Sequence, residues 1–303
     1  MALGLSTLMA CGKSEITDTP TSGNITIGVD ESFQPIIESQ VNTFESIYKY
    51  AQINPHYKPE GAVIEDLIND STQIAVLSRE LTPQEQAVFD QRKIIPRVTK
   101  IAIDAVTLIV NNDNPDSLLT MDQVKDIFSG NIKSWKDLNS ESNLGDITIV
   151  FDNNNSSTSR YVRDSLTADN KLPQNTFAAN SHKALIDYVS ENKNALGVMG
   201  VNWISDFDDS TVVGFLNRIK VIGISKDPNP VTTESYYQPY QAYIAQGAYP
   251  LRRFLYIVST EGRAGLGTGF VSFVAGDKGQ RIILKSGLVP ATMPVRVIGL
   301  GND

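Results

Sequence analysis

The segment "DNNNSSTSRY", residues 152–161, concentrates small hydrogen-bonding side chains between two apolar stretches. It follows the β-branched run "ITIVF" and precedes "RYVRDSL", in which Tyr161, Val162 and Leu166 have helical spacing. The first N–H groups of a helix lack internal partners and carry positive partial charge, so hydroxyls in front of them can form a cradle for an anion. Simple N-capping by one Ser or Thr is the alternative, although it explains one hydroxyl and not three in succession.

Two other loops occupy the same position between a strand and a helix. Ser78 and Arg79 directly follow the strand-like run "QIAVL". The polar loop after "ITIGV" contains Asp30, Glu31, Ser32 and Phe33. Ligands of open α/β sheets bind outside the carboxyl ends of the strands, so the three loops together predict a binding cleft.

Catalytic patterns are absent from the sequence. His56 and His182 lie far apart and belong to no metal-ligand spacing, which favours solvated or helix-start roles. There is no nucleophile elbow and no phosphate-binding P-loop. Gly265, Gly267 and Gly269 are spaced G-x-G-x-G, and too little chain follows them to complete a dinucleotide-binding sheet. We therefore expect a protein that is not an enzyme and holds no metal or cofactor.

The elements that position these loops alternate between strands and helices, which predicts an α/β fold. Strand-like runs begin near residues 25, 74, 100, 146, 195, 218 and 253. A helix is predicted from residue 35, and caps at Thr82 and Thr120 mark two more, with Gly130 ending the second. Residues 224–247 are interpreted as a surface connection, and residues 269–287 as one helix.

Composition and charge limit the class to which this protein can belong. The chain has 303 residues, of which 41% are hydrophobic and 20% charged, which fits one large or two moderate globular domains. We favour two. The net charge of −8 argues against a surface for nucleic acid or an anionic membrane, so any anion must be bound locally.

The single cysteine, Cys11, lies in "LSTLMACGKSE", which resembles a bacterial lipobox. A free thiol in a disordered terminus is the alternative. Residues 1–23 are interpreted as a signal remnant and a flexible tether, and no later apolar run approaches the roughly 20 residues of a membrane span. These features predict an exported, lipid-anchored protein, periplasmic or at the cell surface.

Longer motifs place the chain in a known family. The segment "MDQVKDIFSGNIKSWKDL", residues 121–138, resembles the "IF-x-G-x-I-x-x-W" segment of the PstS-like phosphate-binding proteins. The segments "ALGVMGV", "YPLRRFLYIV" and "FVSFVAGDKGQRIILKSGLVPA" are similar to further parts of that pattern. The resemblance covers roughly residues 25–295. These are type II periplasmic solute-binding proteins that serve ABC importers.

The resemblance implies a two-lobed α/β fold with a ligand cleft between the lobes and two hinge strands. Residues 24–110 and 248–303 are expected to form lobe 1, and residues 111–247 lobe 2. We expect the chain to cross near residues 108–112 and to return near 246–252. A monomer is expected.

Family phosphate contacts map onto residues of both lobes. In lobe 1 they fall on Ser32 and Phe33, on the turn formed by Glu60, Gly61 and Ala62, and on Ser78 and Arg79. In lobe 2 they fall on Ser156, Ser157 and Thr158.

Departures from the family pattern concern charge. The second-lobe loop of the family reads Arg-x-Asp-x-Ser-Gly-Thr, and here Asp152 and Asn154 stand where that Arg and Asp would be. Arg79 could supply the missing cation from the other lobe, because its planar fork suits a tetrahedral oxyanion. Arg160 is a second possible cation, although it could equally face solvent.

Acidic residues decide between oxyanions. Phosphate near neutral pH still carries a proton and needs an acceptor, whereas a carboxylate repels sulfate. The candidate acceptors are Asp30, Glu31, Glu60 and Asp152, and Asp152 could instead hold Arg79 or Arg160 in place. The sequence thus predicts a lipid-anchored binding protein that delivers inorganic phosphate to an ABC permease. Alternatives are another oxyanion such as sulfate or molybdate, or a sensing or adhesion relative.

Overall fold

The computed structural model describes residues 18–295. Cys11 and most of the proposed tether lie outside the described residues. Within residues 18–295, no helix combines the length and apolarity needed to cross a membrane.

The strands carry the sheet that organises the molecule. They are β1 Ser22–Asp30, β2 Tyr50–Lys58, β3 Ile74–Leu77, β4 Arg97–Asn111, β5 Leu118–Thr120, β6 Thr148–Phe151, β7 Thr176–Ala178, β8 Ala195–Gly200, β9 Ile219–Val221, β10 Gly223–Ser225, β11 Arg252–Ser259 and β12 Val289–Pro290.

The helices lie between the strands in chain order. They are α1 Gln34–Ile47, α2 Glu60–Ile68, α3 Pro83–Gln91, α4 Met121–Phe128, α5 Trp135–Leu138, α6 Ser157–Leu166, α7 His182–Glu191, α8 Ser210–Leu216, α9 Gln241–Gln246, α10 Leu266–Ala275 and α11 Asp277–Lys285. Short 3₁₀ helices occur at Glu31–Phe33, Val201–Trp203 and Thr233–Ser235.

The main sheet has the strand order β2-β1-β3-β11-β4-β8-β6-β7, with β9 and β12 also paired to β4. Strands β1, β2 and β3 are parallel and form the first lobe, and β6, β7 and β8 are parallel and form the second. Strand β11 is antiparallel to both β3 and β4. The predicted two-lobed α/β fold is confirmed.

Strand β4 joins the lobes because one continuous strand belongs to both. Its residues from Arg97 to Ala105 pair with β11, whereas Val106 to Val110 pair with β8. The change of partner therefore comes a few residues before the crossing expected at 108–112. The return lies beside it, since Tyr249 donates its hydroxyl to the carbonyl of Val106 over 2.8 Å. The proposed lobe boundaries stay a prediction, because no break in β4 marks one.

The helices predicted from N-cap residues begin at those residues. Thr82 and Thr120 each make a capping box with the third helical residue, Glu85 and Gln123 respectively. Gly130 has φ +76° and terminates the turn after α4, a conformation that glycine adopts without a Cβ penalty. The strand-like runs named above all form strands.

Three features differ from the sequence-based expectations. Strand β2 was not predicted, and its Pro55 is tolerated because β2 lies at the edge of the sheet. The segment expected to be a surface connection contains β10 and α9. The helix expected over residues 269–287 is two helices, α10 and α11, which meet at Gly276.

Candidate functional site

Five buried polar side chains meet where the two lobes and β11 come together. Arg253 lies on β11 opposite Asp104 of β4, and its Nε donates to the Asp104 carboxylate over 2.7 Å. Its Nη1 donates to the Ser157 hydroxyl of lobe 2 over 2.9 Å. The Ser157 hydroxyl is also 3.1 Å from the Ser32 hydroxyl of lobe 1. Together with Asp30, which precedes the Ser32 turn, these residues are called the hinge cluster.

The surroundings of Arg253 hold its guanidinium in place. Burial alone would lower the pKa of Arg253, but Asp104 and Asp30 outweigh it and raise that pKa, so the group stays charged. Its guanidinium carbon lies 4.7 Å from the centroid of the Phe33 ring, within range of a cation–π contact. On the other side is Gly200, where an added Cβ would come within 2.7 Å of Arg253 Nη2. A glycine at position 200 therefore makes room for the arginine.

Three atoms of the hinge cluster have unused hydrogen-bonding capacity, and Asp104 Oδ1 is one of them. Arg253 Nη2, a donor, and Asp30 Oδ2, an acceptor, are both buried without a hydrogen-bond partner among residues 18–295. Buried polar groups are almost always paired with protein, water or ligand. A small ligand that both accepts and donates hydrogen bonds would satisfy Arg253 Nη2 and Asp30 Oδ2 together.

Asp30 is the candidate proton acceptor of the hinge cluster. Burial, assisted by the negative charge of Glu60, raises the pKa of Asp30 to about 7, although Arg253 acts in the opposite direction. Its Oδ1 accepts a hydrogen bond from the backbone N–H of Ser32 over 3.1 Å. Asp30 can therefore gain or lose a proton near neutral pH while its position stays fixed.

The hydroxyls that begin α6 have separate functions. Ser156 is the N-cap and accepts from the N–H of Ser159, as the capping alternative requires. Ser157 points to Arg253, and Thr158 donates to Asp152 Oδ1 over 2.8 Å. The run of hydroxyls thus caps the helix and also contributes Ser157 to the hinge cluster.

Asp152 does not hold either of the arginines that the sequence analysis considered. Apart from Thr158, its neighbour is His182, whose Nε2 lies 3.4 Å from Asp152 Oδ2. His182 begins α7, as expected of a helix-start residue, but it is buried and stacks on Trp203 at a centroid distance of 4.4 Å. Burial lowers the pKa of His182 against the opposing charge of Asp152.

Glu31, another candidate acceptor, lies near Asp152. Burial and the charge of Asp152 raise the pKa of Glu31 to about 7. The structure gives neither acid a contact with Arg253. Both therefore flank the hinge cluster without belonging to it.

Arg79 does not take the position expected for the missing cation. Its Nη1 and Nη2 bind the two oxygens of Glu85 at 2.7 and 2.8 Å, and Nη1 also donates to the carbonyl of Glu80. Glu85 is fixed by its capping box at the start of α3, so it draws the guanidinium toward that helix. The cation among the hydroxyls is Arg253 instead.

The remaining predicted contacts lie beside a crevice of about 430 Å³, called the outer crevice. It is lined by Pro59, Glu60, Gly61, Ala62, Ile64, Glu65, Arg79, Asn155, Arg160 and Arg163. Gly61 lines this crevice and lies outside the hinge cluster. Asn154 is exposed, and its carbonyl accepts hydrogen bonds from Ser159 and Arg163.

Ser78 and Glu60 form a buried pair between the crevice and the sheet. Glu60 Oε1 accepts from the N–H and the hydroxyl of Ser78 at 2.8 and 2.7 Å. Arg160 reaches the same pair from lobe 2, which shows that it does not simply face solvent.

Residues that sequence reasoning missed are Arg253, Asp104, Gly200 and Asn202. Asn202 donates to the Ser32 carbonyl over 3.0 Å. A signal for the first two is present in the sequence, because each is a charged residue inside an apolar strand-like run, "RRFLYIV" and "KIAIDAVTLIV". Buried charges rarely occur unpaired, so two such residues of opposite sign suggest a pair.

Comparison with known proteins identifies the family. Residues 14–278 match the PBP superfamily domain, and the chain belongs to that family. The resemblance stated from the motifs is confirmed, as is the prediction of a binding protein that is not an enzyme. Across the described residues, no group of three or more His, Cys, Asp or Glu is arranged to hold a metal ion.

Relatives with similar sequences are phosphate-binding proteins named PstS. The protein from Staphylococcus saprophyticus is 29% identical over 287 residues, covering 92% of this chain and 85% of that protein. The protein from Staphylococcus epidermidis is 29% identical over 252 residues, covering 81% and 72%.

Solved structures show the same fold. A candidate phosphate ABC transporter substrate-binding protein from Clostridium perfringens, crystallised with bound phosphate, superposes with a TM-score of 0.74 at 21% identity, covering 89% of this chain and all of that one. An ABC-type phosphate transport receptor from Vibrio cholerae gives a TM-score of 0.64 at 21% identity, covering 88% and 100%.

Proposed function

We propose that the protein captures inorganic phosphate in the hinge cluster, between its two lobes, and delivers it to an ABC importer. The observation that carries this proposal is the buried Arg253, whose Nη2 is unpartnered among the described residues and which lies beside the Ser157 hydroxyl. A charged guanidinium with hydroxyl donors from both lobes suits a tetrahedral oxyanion. The names of the relatives support the ligand and the transport role.

Selectivity for phosphate would come from Asp30. Its unpartnered Oδ2 can accept the proton that phosphate carries near neutral pH, while Arg253 Nη2 donates to another oxygen. Sulfate has no proton to offer and would face an ionised carboxylate. We expect the unmet acceptor to cost sulfate about 1–3 kcal/mol of binding free energy relative to phosphate.

Access to the hinge cluster requires the lobes to separate. Ser32, Asp104 and Ser157 each have no solvent exposure. The two hydroxyls that touch belong to different lobes, so a hinge motion about β4 and the segment before β11 would separate them. Ligand binding would then be completed by closure.

Export and anchoring are part of the same proposal. A lipid attached to Cys11 would hold the binding protein at the membrane beside its permease, outside the cytoplasm and as a monomer. The tether proposed for residues 1–23 would let the two lobes open and close independently of the anchor.

Titration calorimetry with phosphate, sulfate and molybdate tests the proposed ligand. We expect heat with a stoichiometry of one for phosphate and much weaker binding of the other two. Strong binding of sulfate or molybdate with none of phosphate would reassign the oxyanion. The absence of heat with all three would refute a role in oxyanion transport.

A further inference from the structure

Arg160 links the two lobes in front of the hinge cluster. It lies on α6 in lobe 2, and its Nε donates to Glu60 Oε2 of lobe 1 over 2.5 Å. Its Nη2 donates to the hydroxyl of Ser78, also of lobe 1, over 2.7 Å. The guanidinium thus bonds two groups at the carboxyl end of the lobe 1 sheet.

Glu60 is committed to this contact. The side chain is 3% exposed, and both of its oxygens accept hydrogen bonds, Oε1 from Ser78 and Oε2 from Arg160. Burial would raise the pKa of Glu60, but Arg160 and Ser78 outweigh it and lower that pKa. A charge-assisted, largely buried pair of this kind is stronger than a surface ion pair.

Each side of the contact has a second partner within its own lobe. Arg160 Nη1 pairs with Asp164, one turn further along α6, over 3.1 Å. Glu60 keeps its two bonds from Ser78 in lobe 1. Opening of the lobes therefore breaks only the bonds that cross the cleft, and neither charged group is left without a partner.

Arg163 provides an internal comparison. It lies on the same helix and lines the same outer crevice, yet within residues 18–295 it bonds only Asn154 and Ser159 of its own lobe. No ion pair to Arg163 is found in the part of the chain that the structure describes. Two arginines of similar setting thus differ in whether they contact lobe 1.

We propose that Arg160 is a latch whose bonds to Glu60 and Ser78 hold the lobes closed and set the rate at which ligand leaves. Arg160 acts as a positioning residue, because its hydrogen bonds go to Glu60 and Ser78 of the opposite lobe. The identity of the ligand rests on the proposed function, whereas the closure itself does not.

The rate of phosphate dissociation tests the latch. We expect Arg160→Gln to accelerate release of inorganic phosphate by at least about tenfold, measured by stopped-flow, because loss of one partner of a buried charge pair acts mainly on dissociation. Association should change by less than about threefold. The matched control Arg163→Gln should leave both rates near those of the unmodified protein.

A second variant guards against misfolding. Glu60→Gln removes the same charge pair from the other lobe, so the double variant with Arg160→Gln should release phosphate no faster than the faster single variant. Thermal unfolding checks that each variant is folded. Dissociation at the unmodified rate in folded Arg160→Gln would overturn the latch.

Small-angle scattering separates this proposal from the proposed function. If the protein binds no phosphate, the proposed function is wrong, but the radius of gyration still reports whether the lobes are closed. Arg160→Gln should then give a larger radius than the unmodified protein and than Arg163→Gln. Equal radii for all three proteins would contradict the latch, whether or not phosphate binds.

Discussion

Arg253 and Arg79 both lie near the cleft, but their hydrogen bonds assign them different functions. Arg79 uses both Nη atoms on Glu85 and so supports the start of α3. Arg253 has one Nη free of protein partners among residues 18–295 and is buried beside hydroxyls from both lobes. Arg253 therefore combines a charge with a buried, unused donor, as a bound oxyanion requires.

Substitution of Arg253 should strongly weaken phosphate binding, whereas substitution of Arg79 should not. We expect Arg253→Gln to weaken phosphate binding by at least about a hundredfold, since a buried charged partner is lost. It should also destabilise the fold by about 3–5 kcal/mol, because Asp104 is left buried without its cation.

Arg79→Gln should bind phosphate within about threefold of the unmodified protein, as measured by calorimetry. Arg253→Lys keeps a positive charge beside Asp104 but lacks the planar fork, so it should fold and still bind weakly. Tight binding by Arg253→Lys and loss of binding by Arg79→Gln would exchange the two assignments.

Asp30 should make discrimination against sulfate depend on pH. Its pKa of about 7, raised by burial and Glu60 against Arg253, means that it is ionised above pH 7 and protonated below. Sulfate should therefore bind better as pH falls from about 8 to about 6, when the repelling carboxylate becomes a donor.

Asp30→Asn should remove this pH dependence and narrow the gap between phosphate and sulfate. The asparagine oxygen can still accept from the Ser32 N–H, so the loop should keep its position. Competition calorimetry at both pH values measures the effect. If the unmodified protein binds sulfate with the same affinity at both pH values, Asp30 is not the acceptor.

Residue identities in the site were only partly predictable from the sequence. Ser32 and Ser157 follow from their strand-to-helix loops, because caps and strand ends are local features. The choice of Arg253 over Arg79 depends on which acids lie nearby in three dimensions, namely Asp104 for one and Glu85 for the other. Spacing along the chain does not encode that choice.

At the scale of elements, β8 ends in a glycine that controls the space around Arg253. A Cβ at Gly200 would be 2.7 Å from Arg253 Nη2, whereas a Cβ at Gly214 in α8 would meet nothing within 4 Å. Gly200→Ala should therefore destabilise the protein by about 1–3 kcal/mol and weaken phosphate binding, because a buried guanidinium must move.

Gly214→Ala is the matched control, and it should stabilise the exposed helix by about 0.5–1 kcal/mol with no change in binding. Denaturant unfolding and calorimetry measure the two effects. Unchanged binding in Gly200→Ala would mean that Arg253 has more freedom than its contacts indicate.

The segment 121–138 that identifies the family supports lobe 2 and not the ligand. Thr120 and Ser134 begin its two helices with capping boxes, and Trp135 is fully buried. The Trp135 ring N–H donates to the carbonyl of Asn194, which precedes β8. The cap at Thr120 is a local signal, which is why α4 was predicted, whereas the short helix α5 was not.

At the scale of the whole molecule, the lobes are joined by β4 and by the segment that leads into β11. The fold class was predictable because each lobe repeats the strand-to-helix pattern. The contacts across the cleft were not, since Arg160 and Glu60 are 100 residues apart in sequence. Such a pair depends on closure of the lobes, for which single-sequence periodicity carries no signal.

Phosphate should stabilise the whole molecule against thermal unfolding. Because closure couples both lobes to one ligand, the midpoint should rise with phosphate concentration, and each tenfold excess over the dissociation constant should add about 1.4 kcal/mol. Differential scanning calorimetry measures it, with an equal concentration of chloride as the control. A midpoint that rises equally with both salts would indicate a general salt effect.

A crystal structure of the protein with phosphate tests the central claim most directly. We predict phosphate between the lobes, within hydrogen-bonding distance of Arg253 Nη2 and the hydroxyls of Ser32 and Ser157, with one oxygen facing Asp30 Oδ2. Phosphate bound instead in the outer crevice against Arg79 and Arg163, with the hinge cluster unchanged, would contradict it.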